Sequence, residues 1–265
     1  MTSEVLEGRA EGAADEKDYV QSLARGLQVL RAFSQYKPRM TLSEVAQHTG
    51  LTRAAARRFL LTLVREGFAE TDGKRFALRP KVLELGFAYL SSLPMWEVAQ
   101  PVMRDVVNTL QESCSLSVLD GEDIVYVARE PTARVMTIGL SIGSRLPAYC
   151  SSMGRVLLSG LPPAELAAFY DRVRIEKRTP RTVPTKVALK DEVETARRQG
   201  WALVDQELEL GLRSIAVPIR NRRGEVLAAL NVSTHEGRTP LEAMRNRFLP
   251  VLMDAAQRIS AALPQ

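Results

Sequence analysis

One stretch, residues 41–78, constrains this chain more than any other: TLSEVAQHTGLTRAAARRFLLTLVREGFAETDGKRFAL. Thr41-Leu42-Ser43-Glu44 is a capping box. The threonine hydroxyl takes the amide three residues on, and Glu44 reaches back to the amide of Thr41. A short helix follows with Leu42, Val45 and Ala46 on one face, and Gly50 ends it in left-handed backbone. Thr52 caps a second helix, in which Ala56, Phe59, Leu60, Leu63 and Val64 recur at helical spacing as a buried stripe. Gly67 stops that helix. Residues 68–71 and 75–78 then flank Asp72-Gly73-Lys74, a hairpin signal.

Two short helices, a tight turn and a β-hairpin make a winged helix-turn-helix. In such a motif the second helix enters the major groove of double-stranded DNA. Thr52, Arg53, Ala54, Arg57 and Arg58 stand at its start or off its buried stripe and are the candidate contacts. The arginine fork matches O6 and N7 of guanine together, and small Ala54 and Ala55 allow close approach. Lys74 and Arg75 at the hairpin tip reach phosphate or the minor groove. Arginines clustered on a helix are more often a solvated face. Here capping box, turn glycine, buried stripe and wing coincide in one register, which favours DNA binding.

At 265 residues the chain is long enough for one large domain or two ordinary ones. No apolar run approaches the roughly 20 residues that span a bilayer. The beginning is acidic and polar, unlike a signal peptide. Two cysteines, Cys114 and Cys150, make neither a disulfide framework nor a metal cluster. The expectation is a cytoplasmic protein with no membrane contact, metal or cofactor. The net charge of +5 hides an asymmetry. Residues 1–19 hold two basic and six acidic side chains, whereas residues 20–81 hold twelve basic and four acidic. Positive charge therefore gathers where phosphate contacts need it.

In chain order, residues 1–19 read as a disordered acidic tail. Residues 20–80 form the winged helix-turn-helix domain. It opens with a Ser22-capped helix whose apolar face is Leu23, Leu27, Leu30 and Phe33. Residues 81–93 are a linker helix too apolar to stand alone in water, which must pack on the first helix, on a second subunit or on both. Pro94 marks the junction. Residues 94–265 mix helices with about six strands: 114–119, 124–128, 134–142, 201–205, 214–220 and 225–233. Residues 145–149 read as an irregular approach to a helix begun by Ser151 or Ser152, and a long helix over 240–262 closes the chain. The fold class is α+β, an N-terminal winged helix-turn-helix followed by a GAF/PAS-like antiparallel sheet with flanking helices.

Catalytic signatures are scarce: no H-E-x-x-H, P-loop or G-x-G-x-x-G occurs. His48 lies inside the helix-turn-helix, and His235 has no Ser or Cys partner nearby in sequence. Cys150 at a helix start could be a thiolate, although a small buried residue is the commoner role. A hydrolase using Cys150 or Ser151, with the winged helix as targeting module, is the rival reading from another class. A purely architectural DNA binder is a third. The junction LPAYCSSMGR is more informative. A loop runs into a helix, where free amides and the positive helix end make an anion site. Its serines are read either as caps or as part of that site. Asn231 and Ser233 alternate along AALNVST and so share a strand face.

On these residues the chain resembles the IclR family of bacterial transcription regulators over nearly all of residues 20–262. The carrying segments are SLARGLQVL (22–30), TLSEVAQHTGLTRAAARRFLLTLVREGF (41–68), RLPAYCSSMGRVLLS (145–159) and WALVDQELELGLRSIAVPIRNRRGEVLAALNVS (201–233). The wording LPAYCSSMGRVLL is most similar to the branch that regulates aromatic-acid breakdown through the β-ketoadipate pathway. The resemblance implies a homo-oligomer, a dimer or a dimer of dimers on a palindromic operator. It also implies a second domain that binds a small carboxylic acid. The family pocket implies amides at Ser152 and Met153, polar strand positions at Ser214, Asn231 and Ser233, and apolar walls at Val135, Ile138, Leu146 and Leu212. Asp205 aligns near a family acidic position, with Val204 as the neighbouring register. Ser214 and Asn231 stand where sensors of two- and three-carbon acids have Cys and Ser, which implies a larger or more hydroxylated acid. Arg134, just before the pocket strand, is a candidate partner for its carboxylate.

Overall fold

A computed structural model describes residues 18–34, 36–93, 95–132 and 140–263. The chain separates into two compact units, Met1–Tyr89 and Leu90–Gln265.

The first unit begins with α1 (Gln21–Arg31), β1 (Arg39–Thr41), α2 (Leu42–Thr49) and α3 (Arg53–Arg65). The wing follows as β2 (Ala69–Thr71) and β3 (Arg75–Leu78). The capping box forms as expected: Thr41 N donates to Glu44 Oε2 at 2.7 Å and Glu44 N to Thr41 Oγ1 at 3.3 Å. Gly50 takes a left-handed φ of 66° and frees the chain to turn. Thr52 Oγ1 accepts Ala55 N at 3.2 Å and starts α3. Val29, Ala32, Met40, Val45, Ala46, Ala56, Leu60 and Phe76 form the core of this unit.

Two details of the first unit differ from expectation. Val20, not Ser22, is the N-cap of α1, and it makes no side-chain cap. The helix also buries Val29 and Ala32 while Leu23 and Leu27 stay exposed. Its inner face is therefore rotated from the Leu23–Leu27 stripe. In addition β1 pairs with β3, so the wing has three strands in the order β1-β3-β2.

The division between the two units falls within helix α4 (Leu83–Ser91). No residue of α4 is buried, and Leu83, Leu85, Phe87 and Tyr89 are exposed.

The second unit opens with α5 (Met95–Leu110), β4 (Cys114–Asp120) and β5 (Asp123–Glu130). Then come β6 (Arg145–Pro147), α6 (Ser152–Ser159), α7 (Pro163–Arg172) and α8 (Lys186–Gln199). The strands β7 (Ala202–Asp205), β8 (Leu212–Arg220) and β9 (Val226–His235) precede the last helix. That helix starts at Leu241–Ala243, passes a π-helical turn over Met244–Phe248 and continues as α9 (Leu249–Ala262). Six antiparallel strands run in the order β6-β5-β4-β9-β8-β7. The strand expected over 134–142 lies outside the described residues up to 139, and 140–142 are not strand. The approach at 145–149 contains a short strand, β6, paired with β5, and then a 3-10 turn over Ala148–Cys150.

Alternation along the strands sends side chains to two faces. One face carries Cys114, Leu116, Ile215, Val217, Leu230 and Val232, which pack with Met103 and Val106 of α5 and with Leu252 and Ile259 of α9. The other carries Ile124, Tyr126, Ala216 and Ala229, which pack with Met153, Val156 and Leu157 of α6 and with Leu189 and Val193 of α8. Every residue of α6 is buried. Small and apolar SMGRVLLS permits this, and its one charge, Arg155, is paired. Among the described residues no helix is long and apolar enough to cross a membrane.

Candidate functional site

In the first unit Arg53, Ala54, Arg57 and Arg58 are exposed on the side of α3 opposite Ala56 and Leu60, and Thr52 caps its start. Among the described residues no carboxylate lies within ion-pair distance of these arginines. An unpaired cationic face keeps its charge available for phosphate or a base edge. The wing tip is fixed by its own backbone. Asp72 Oδ1 accepts Lys74 N at 2.9 Å and Arg75 N at 2.7 Å, and Gly73 takes φ 89°. These amides hold the Asp72 carboxyl below the usual carboxylate range. Lys74 and Arg75 project from a turn that needs no partner to form it.

In the second unit a cavity lies between the start of α6 and the sheet. Tyr126, Arg129, Leu140, Leu146, Cys150, Ser151, Ser152, Met153, Val204, Leu208, Leu212, Ser214, Asn231 and Ser233 line it. Seven of the effector contacts expected from the sequence meet here: Leu146, Ser152, Met153, Leu212, Ser214, Asn231 and Ser233. Arg134, Val135 and Ile138 lie outside the described residues.

Strand register explains the meeting. Asn231 is opposite Ser115 and Ala216, and Ser233 is opposite Ser214, which is opposite Val204. Directly opposed residues share a face, so these rows form the polar floor. Asn231 Nδ2 donates to Ser233 Oγ at 3.1 Å. The same register corrects the reading of Asp205. That residue is opposite Arg213 and points to the other face. There its oxygens accept Arg213 Nε and Arg181 Nη1, each at 2.6 Å. Val204 occupies the cavity position instead.

Helix α6 forms the roof. Ser151 is its N-cap, its hydroxyl accepting Gly154 N at 3.1 Å, and Ser151 O accepts Arg155 N at 3.1 Å. The amides of Ser152 and Met153 keep no acceptor among the described residues. The Ser152 hydroxyl is buried there without a hydrogen-bond partner. Two free amides, the positive end of the helix macrodipole and an unsatisfied hydroxyl compose a site short of an acceptor. So Ser151 caps the helix, and the Ser152 hydroxyl does not.

Sequence reasoning missed Arg129, and a β-bulge is the reason. Leu116 pairs with Ala128 but Ser117 pairs with Tyr126, so Val127 is an extra residue in β5. Without a bulge, residues three apart face opposite ways. With it, Tyr126 and Arg129 both reach the cavity side. Burial pushes the Tyr126 phenol up to about 12, so it faces the cavity as a neutral hydroxyl.

The loop at 206–211, which carries Leu208, is tied to α6 by a buried ion pair. Arg155 Nη2 donates to Glu207 Oε1 at 2.7 Å and to Oε2 at 2.8 Å, and Val183 N donates to Oε2 at 2.9 Å. The cavity is narrow, about 20 Å3, roughly room for one water. A six-membered ring needs more room than this, and the long, flexible side chains of Met153 and Arg129 are the walls best able to yield.

Nucleophilic chemistry is not supported here. Burial pushes the Cys150 thiol up to about 11, so it is protonated near neutral pH, the opposite of an activated thiolate. The Ser151 hydroxyl is engaged as a cap, and His235 Nδ1 accepts Gly237 N at 3.1 Å.

Two family models match the chain. The IclR helix-turn-helix domain covers residues 22–73, and the bacterial transcriptional regulator IclR C-terminal domain covers residues 87–261. The chain belongs to the IclR family. It is 45% identical over 250 residues to the Pca regulon regulatory protein of Pseudomonas putida, covering 94% of this chain and 86% of that one. A solved transcriptional regulator from Rhodococcus sp. RHA1 superposes with a TM-score of 0.84 at 51% identity, over 92% of this chain and 98% of that one. An IclR homolog from Microbacterium hydrocarbonoxydans, solved with 4-hydroxybenzoate, superposes with a TM-score of 0.81 at 26% identity, over 92% and 99%. As an IclR-family protein the chain is a DNA-binding transcriptional regulator and not an enzyme.

Proposed function

We propose that this IclR-family regulator senses a small carboxylic acid, an aromatic acid or a β-ketoadipate-type intermediate, and thereby controls genes for aromatic-compound breakdown. One observation carries the reading: the buried, unpartnered Ser152 hydroxyl beside two free amides at the start of α6, inside a cavity. The 4-hydroxybenzoate bound by the Microbacterium relative supports the ligand class. In this reading residues 1–19 are an acidic tail, 20–80 the DNA-binding domain, 81–93 a linker helix and 94–265 the effector domain. Leu146, Ser152, Met153, Leu212, Ser214, Asn231 and Ser233 contact the acid.

The regulator works in the cytoplasm as a dimer or dimer of dimers. The exposed apolar residues of α4, with Leu23 and Leu27 of α1, are the surface a second copy covers. Two recognition helices then meet successive major grooves of a palindromic operator, about 34 Å apart. The acid shifts operator binding by favouring one of two arrangements of the assembly, and only its differential affinity for them can do so.

A thermal-shift screen tests the sensor. At a hundred times its dissociation constant a ligand adds roughly 2.7 kcal/mol. The expected result is a melting shift with protocatechuate, 4-hydroxybenzoate or β-ketoadipate and a smaller one with glyoxylate and pyruvate. No shift with any acid would favour an architectural DNA binder. Ser152→Trp is expected to fill the cavity and abolish the shift while operator binding persists; normal acid binding by this variant would remove Ser152 from the site. Arg57→Ala is expected to weaken operator binding about ten- to a hundredfold, the worth of a base or phosphate contact, with an unchanged melting temperature. Unaltered affinity in a gel-shift titration would place Arg57 outside the interface.

A further inference from the structure

We propose that Arg129 supplies the counter-charge for the effector, whose carboxylate sits between the Arg129 guanidinium and the first amides of α6. The inference rests on the acid-sensing reading above and names the residue that makes it selective for charge.

Among the described residues lining the cavity, Arg129 is the one with a charged side chain. No carboxylate of the described residues pairs with it. Its Nη1 instead donates to Ser115 Oγ at 3.2 Å, which draws the guanidinium inward over β4. Two residues along the same strand face, the Ser117 hydroxyl donates to Met153 Sδ at 3.1 Å, which seats the start of α6. The guanidinium and the helix start are therefore anchored on neighbouring positions of one strand, roughly 6.8 Å apart along it. Arg129, Ser152 and Met153 line the one cavity, so a carboxylate held there has donors on two sides.

The electrostatics point the same way. A full positive charge and the positive end of a helix face one half-enclosed space with no acid in its described lining. Each disfavours the other until an anion enters, and a hydrogen bond to an ionised group is about twice as strong as a neutral one. The buried, unpartnered Ser152 hydroxyl is a further donor on a residue that lines the same cavity. Asn231, Ser233 and Ser214, on the adjoining rows, are left for the oxygen at the other end of the acid.

The test pairs protein and ligand changes, using the full chain and titration calorimetry. The probes are 4-hydroxybenzoate with 4-hydroxybenzamide, and adipate with adipamide. The wild type is expected to bind an acid at least about tenfold more tightly than its uncharged amide. Arg129→Gln is expected to lose about ten- to a hundredfold for the acid, with little change for the amide, so that the preference collapses. Arg129→Lys, which keeps the charge without the fork, falls between. An acid-over-amide preference that survives in Arg129→Gln would overturn the proposal and leave the carboxylate to α6 alone. A wild type that binds neither acid would overturn the sensor reading, and this inference with it. Arg129 is only half-buried and loses one hydrogen bond to Ser115, so the variant should fold; if its melting temperature falls, Arg129→Lys carries the comparison.

Discussion

Glu207→Ala is expected to destabilise the C-terminal unit by about 3–5 kcal/mol, the cost of leaving one partner of a buried ion pair alone. Arg155 is 2% exposed, and both Glu207 oxygens accept from it. Glu192, more than half exposed in its side chain, is too solvated to replace Glu207. The Val183 amide also loses its acceptor. A melting scan should show a fall on the order of 10 °C for a unit of this size. The companion experiment separates mechanisms. Arg155→Met with Glu207→Leu removes both charges, together with the Arg155 Nε that is buried without a partner. That double variant should be markedly more stable than Glu207→Ala. If it is equally unstable, the loss comes from packing and not from the stranded charge.

Gly154→Ala should cost on the order of 3 kcal/mol and remove effector binding. A methyl group at Gly154 would overlap the backbone oxygen and Cα of Ala148, not a side chain that can swing away. Either the 3-10 turn at Ala148–Cys150 retreats or α6 tilts, and overpacking of this kind carries penalties of roughly 1–3 kcal/mol, occasionally more. Both movements displace the free amides of Ser152 and Met153. The measurable sign is a melting shift with 4-hydroxybenzoate that vanishes even at temperatures where circular dichroism shows the variant folded. Retained binding would mean that the roof tolerates displacement. At Gly26, by contrast, a methyl would make only ordinary contact with Phe59.

The winged helix was legible because its signals are local. The Thr41 box, the left-handed turn at Gly50 and the Asx turn at Asp72 each follow from two to four adjacent residues. β1 escaped notice because three residues with one apolar side chain carry no period, and its pairing with β3 is remote in sequence. β6, equally short and ending in Pro147, escaped for the same reason. The pocket was half legible. Alternation placed Asn231 and Ser233 on one face, and the helix start placed Ser152. Asp205 failed on parity: once Ser214 faces the cavity, its opposite number is Val204. Arg129 failed because strict alternation from Tyr126 turns it outward, and one extra residue at Val127 reverses that. A bulge arises from pairing with β4 and leaves little trace in a single strand.

The narrowness of the cavity has a consequence in time. When entry waits on the opening of walls, association runs below the usual range of about 10⁵–10⁷ M⁻¹s⁻¹. For any given dissociation constant, departure must then be slow in proportion. A regulator gated in this way is expected to average supply over the residence time of the bound acid, so that brief pulses pass unanswered and a sustained supply is remembered after it ends.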